Sequence, residues 1–134
     1  MIKQFFLLIC FTTSVIGSDY SVIASKNISF STLTSQQIRD IYLQKRHTVG
    51  DQIIIPVNLL GQDELRIAFE SSVLGMNRNQ LSAYWSKQHF QGIKPPITQP
   101  SFESINIFIQ NVEGAIGYIP STMVNSKTKV IYEF

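Results

Sequence analysis

The sequence predicts an α/β domain: a largely parallel sheet flanked by helices, in a chain of 134 residues. Three observations predict it. Stretches with a helical apolar period alternate with short β-branched runs along the chain. One of those runs, IIIPVN at 53–58, is almost continuously apolar, the pattern of a strand covered on both faces in a parallel sheet. The helical stretches also open on good caps, and two of those caps have a Gln three residues later.

The first 17 residues, MIKQFFLLICFTTSVIG, carry one Lys followed by an apolar run from Phe5 to Ile16. That run is too short to cross about 30 Å of hydrocarbon as a helix, and the small residues Gly17 and Ser18 follow it. Residues 1–17 therefore read as a signal peptide, and 18–134 as a single exported, periplasmic domain with no stable membrane span after cleavage. Ile9 is too large to precede a lipoprotein processing site at Cys10. Loss of Cys10 leaves no thiol, so no disulfide is expected and an ordinary apolar core must hold the fold. With Lys3 removed, ten basic side chains face nine acidic ones, a balance unlike that of a general nucleic-acid binder.

Residues 21–25 (SVIAS) read as a strand. Thr34 caps the next helix with Gln37 as its box partner, Leu33 and Ile38 form the staple, and Ile38, Ile41 and Tyr42 share a face. Residues 44–52 read as a charged loop with a Gly-Asp turn before the strand at 53–58. Asp63 and Glu64 then occupy the first turn of a helix, where negative charge complements the dipole. Leu65, Phe69 and Val73 repeat every four residues until Gly75 stops that helix. Asn77, with Gln80, caps a third helix carrying Leu81, Tyr84 and Trp85. Pro95 and Pro96 force an extended passage. Ser101 caps a fourth helix bearing Phe102, Ile105, Phe108 and Ile109, ended by Gly114; strands follow at 115–119 and 129–134.

Catalytic groups are sparse. His47 and His89 are far apart with no metal-ligand spacing, and Asp63 and Glu64 are adjacent, pointing in different directions on a helix. There is neither a P-loop nor a dinucleotide-binding glycine pattern. The chain is not expected to be an enzyme or to hold a metal or cofactor. Anion binding has a physical basis at residues 58–66: a strand ending at Asn58, a turn through Gly61 and Gln62, and a helix opening near Asp63 with Arg66 one turn in. The plainer reading of the same residues is that Asp63 and Glu64 simply cap and charge that turn. Lys45, Arg46 and His47, with Arg39, form the only basic cluster and read as a solvated loop. Tyr84, Trp85 and Phe90 read as a core plug rather than a ligand lining.

The ordered string LTSQQIRDIYLQKR, IIIPVN, LRIAFESSVLG, LSAYW, HFQGIKPP and EGAIGYIP resembles the phosphate-type substrate-binding proteins of bacterial ABC transporters, over nearly all of the exported part. The resemblance implies one lobe of a type II periplasmic binding protein. It also implies a non-enzymatic role, a small anion ligand such as phosphate, and an envelope or transporter protein as partner. In that family the strand leads to an Arg and a Ser-Gly-Thr turn that hold the anion. Here Gly61-Gln62-Asp63-Glu64 stands at the helix start, Asn58 lies near the place of the Arg, and one of the family's two lobes is missing. The second function the residues allow is an envelope protein-interaction module, built on a single lobe that has lost its ligand.

Overall fold

A computed structural model describes residues 18–134, so the signal-peptide reading of 1–17 lies outside the described residues. The sheet is built from β1 (Tyr20–Ser25), β4 (Ile55–Leu59), β5 (Ile97–Gln99), β6 (Ala115–Pro120) and β7 (Thr128–Glu133), in the order β5-β4-β6-β1-β7. β4 pairs in parallel with β5 and β6, whereas β1 is antiparallel to both β6 and β7. Four strands thus share one direction, as the sequence predicts, and β1 runs against them.

Pro56 sits in a central strand without breaking it. The Ile55 N–H donates to the Gly114 carbonyl on the β6 side, so Pro56 faces the β5 side, where pairing begins only at Val57. Ile53 was expected in this strand but belongs to a separate small hairpin. There β3 (Gln52–Ile53) pairs with β2 (Thr48–Val49), and Ile53 is 64% exposed. The charged loop is therefore partly ordered as this hairpin, with Gly50 in the left-handed conformation at its turn.

The capping signals form as read. Thr34 and Gln37 make both capping-box bonds at the start of α1 (Ser35–Tyr42). Asn77 and Gln80 do the same for α3 (Arg78–Phe90), and Ser101 with Ser104 for α4 (Phe102–Asn111). Asp63 caps α2 (Glu64–Phe69), which does not run on as one α-helix to Gly75. It widens into a π-turn at Glu70–Leu74 that closes on Gly75 in the left-handed conformation.

Neighbouring side chains on β6 define the layers. A Cβ at Gly117 would lie within 2.9 Å of atoms of Ile105 and Ile109, so α4 packs directly on that face. Tyr118 points to the other face, where its ring stacks on Phe69 with centroids 4.0 Å apart. Phe69 in turn meets Tyr42 of α1 edge-on at 4.7 Å. The sheet is therefore covered by α4 on one side and by α1 and α2 on the other. α3 is more peripheral: Leu81 is its one buried side chain, and the Tyr84 hydroxyl donates to the Leu43 carbonyl at 2.6 Å. Phe90 does not join the core with Tyr84 and Trp85, being 89% exposed.

Candidate functional site

β4 and β5 end side by side, Leu59 opposite Gln99, and each leads straight into a helix. Helices α2 and α4 therefore open at the carboxyl edge of the parallel strands, the edge at which open α/β sheets bind ligands. A crevice of about 330 Å³ lies there, lined by Tyr20, Asp63, Glu64, Leu65, Phe102 and Pro120. Its charge is negative. Asp63 also occupies its own helix start, its carboxylate accepting the Leu65 N–H at 2.8 Å. An anion in this crevice would meet two carboxylates.

Behind the turn lies a second polar assembly. The Asn58 side-chain oxygen, buried, accepts a hydrogen bond from the Tyr118 hydroxyl at 2.8 Å, and that hydroxyl accepts from the Leu59 N–H at 3.3 Å. Burial is the main force raising the Tyr118 phenol well above the ordinary tyrosine range, against the opposing pull of the Leu59 N–H and of Arg66. Tyr118 is thus a neutral donor at physiological pH. Arg66 Nη1 donates to the Leu59 carbonyl at 2.8 Å, and its Nε donates to Glu70 Oε2 at 3.2 Å. Arg78 Nη2 lies 3.0 Å from Glu70 Oε1, close enough for charge pairing but off the line of a hydrogen bond. Glu70, only 5% exposed, therefore sits between two guanidiniums.

Gly61 lies beneath both cations. A side chain there would begin 3.5 Å from Arg78 Nη1 and 3.9 Å from Arg66 Nη1. Of the five residues the sequence nominates, Asn58, Gly61 and Arg66 belong to this assembly, Gln62 is exposed on the turn, and Asp63 caps α2. Sequence reasoning missed Tyr118, Glu70 and Arg78. The four-residue spacing of Arg66 and Glu70 was a usable signal, since such pairs face each other on a helix; nothing local marks Arg78 or Tyr118.

The basic loop disperses into separate contacts. Arg39 donates to the Leu74 carbonyl, Arg46 Nε to the Thr48 carbonyl at 2.9 Å, and Lys45 lies 5.8 Å above the Tyr84 ring. Among the described residues there is no group of three His, Cys, Asp or Glu side chains placed to hold a metal, and no helix long and apolar enough to cross a membrane.

Neither a protein-family profile nor a curated protein sequence matches the chain. Solved structures do. A phosphate-type ABC transporter substrate-binding protein from Clostridium perfringens, solved with bound phosphate, superposes with a TM-score of 0.68 at 24% identity, over 85% of this chain and 44% of that one. An ABC-type phosphate transport receptor from Vibrio cholerae gives 0.68 at 17% identity, over 85% and 45%. PstS from Borrelia burgdorferi gives 0.66 at 12% identity, over 85% and 46%. The chain therefore has a phosphate-binding-protein-like fold and spans less than half the length of these neighbours, consistent with a single lobe.

Proposed function

We propose that this chain is an exported, solute-binding-protein-like domain that binds a small anion such as phosphate at the turn after β4. The site is formed by Asn58, Gly61, Gln62, Asp63 and Arg66. The observation that carries this reading is the position of Arg66, whose guanidinium is anchored on the Leu59 carbonyl beside Gly61 at the carboxyl end of a parallel strand. The fold it shares with a structure that holds phosphate supports the same ligand class. Arg66 provides the cation and Gly61 the close backbone approach. Asp63 closes the helix start and turns anions towards the arginine side of the turn. A lobe of this length leaves the ligand open to water on one side, so an envelope or transporter protein is the natural partner to cover it.

A thermal-shift titration of the purified protein with phosphate, sulfate and chloride tests the reading. A ligand that binds only the folded state raises the melting temperature once its concentration exceeds the dissociation constant. A saturable rise with phosphate that Arg66→Ala abolishes is expected. No rise with any of the three anions at millimolar concentration would refute it and leave a protein-interaction module.

A further inference from the structure

A hollow of about 460 Å³ opens between α2, its π-turn and the start of α3. It shares no lining residue with the acidic crevice at the head of α2. Ile67 and Met76 supply apolar wall, Ser71, Asn77 and Asn79 supply polar groups, and Glu70 and Arg78 supply charge.

We propose that this hollow is the anion subsite of the turn, that Arg78 is the residue receiving the anion, and that its ligand is a small organic oxyanion carried on an apolar body. The inference rests on the anion-binding reading of the same turn and moves its ligand to the arginine side. Within the hollow's lining Glu70 is the sole acid and Arg78 the sole base, and Glu70 also pairs with Arg66 outside the lining. Arg66 is largely committed to Leu59 and Glu70, with 16% of its side chain exposed. Arg78 is different. Its side chain is 44% exposed, and its N–H donors make no hydrogen bond among the described residues. A guanidinium carries five donors in a flat fork that matches a carboxylate or a phosphate face.

The fork is also held in place. The π-turn brings Glu70 inward, and the buried carboxylate fixes Arg78 over Gly61. π-turns of this kind recur at functional sites, and a fixed donor loses less freedom on binding than a floating one. A single oxyanion leaves much of the volume empty, and Ile67 and Met76 give an apolar body something to cover.

Isothermal titration of the full exported protein with two probe pairs tests this: phenyl phosphate against inorganic phosphate, and benzoate against acetate. The aryl member of each pair should bind at least tenfold tighter. Arg78→Ala should weaken the aryl probes at least tenfold while the protein remains folded at the titration temperature, and Arg78→Lys, which keeps the charge but loses the fork, should recover part of that loss. Lys87→Ala on the same helix should change nothing. Aryl probes that bind no tighter than their small counterparts overturn the proposed ligand class. Binding that survives Arg78→Ala but is lost in Arg66→Ala overturns the subsite and leaves the anion reading of the turn standing. Absence of binding by all four probes to the unmodified protein overturns both.

Discussion

The Tyr118 hydroxyl is 2.8 Å from the Asn58 side-chain oxygen, and this one hydrogen bond joins the middle of the sheet to the end of β4. Both groups are buried, so neither has water as an alternative partner. Tyr118→Phe leaves the Asn58 oxygen and the Leu59 N–H short of a partner while keeping the ring stacked on Phe69. A loss of about 1–3 kcal/mol is expected, measured by urea unfolding. A change below about 0.5 kcal/mol would mean that the turn does not depend on this bond.

Alkaline pH acts on the same part of the core. Burial is the leading cause that raises both Tyr42 and Tyr118 in the folded state, and Tyr118's neighbourhood adds to the shift of Tyr42. Unfolded tyrosines ionise near pH 10, where the folded ones still hold their protons. The folded state then binds more protons than the unfolded one, so stability is complete below about pH 10 and is lost as pH rises above it. The slope approaches about 1.4 kcal/mol per pH unit for each tyrosine. Melting temperatures between pH 8 and 11 should show the fall, and Tyr42→Phe should flatten it.

Glu70→Gln removes the charge that two guanidiniums share. Arg66 is then left largely buried without its counter-ion, and about 3 kcal/mol of stability should go with it. Phe90→Ala is the contrasting case. With its ring 89% exposed, the substitution should move stability by no more than about 0.5 kcal/mol. Denaturant midpoints of the two variants side by side check both statements.

Gly117→Ala probes how tightly α4 lies on the sheet. The added methyl would come 2.8 Å from Ile105 Cγ2 and 2.9 Å from Ile109 Cδ1, so two buried side chains must shift. A cost of about 1–3 kcal/mol is expected from thermal or urea unfolding, with the fold retained.

What the sequence made legible was local. Thr34, Asn77 and Ser101 announce their helices because a cap and its bonded N–H groups lie within one turn of chain. The apolar run at 53–58 signals a buried strand, but hydrophobicity does not mark where the backbone turns, so Ile53 falls in the hairpin instead. β5 was hidden because three residues after two prolines show no alternation, and its pairing with β4 comes entirely from elsewhere in the chain. The polar assembly was half legible. Asn58, Gly61 and Arg66 lie close in sequence, whereas Tyr118 and Arg78 arrive through the sheet and through the packing of α3. Glu70 goes unremarked in the sequence because only the π-turn and its two arginines make it a buried residue.

The most direct measurement is a phosphate titration of the isotopically labelled protein followed by two-dimensional amide NMR. Binding at the turn after β4 predicts saturable shifts concentrated at Gly61, Gln62 and the start of α3, and absent in Arg66→Ala. A spectrum unchanged at millimolar phosphate, or shifts confined to surfaces away from that turn, would contradict it.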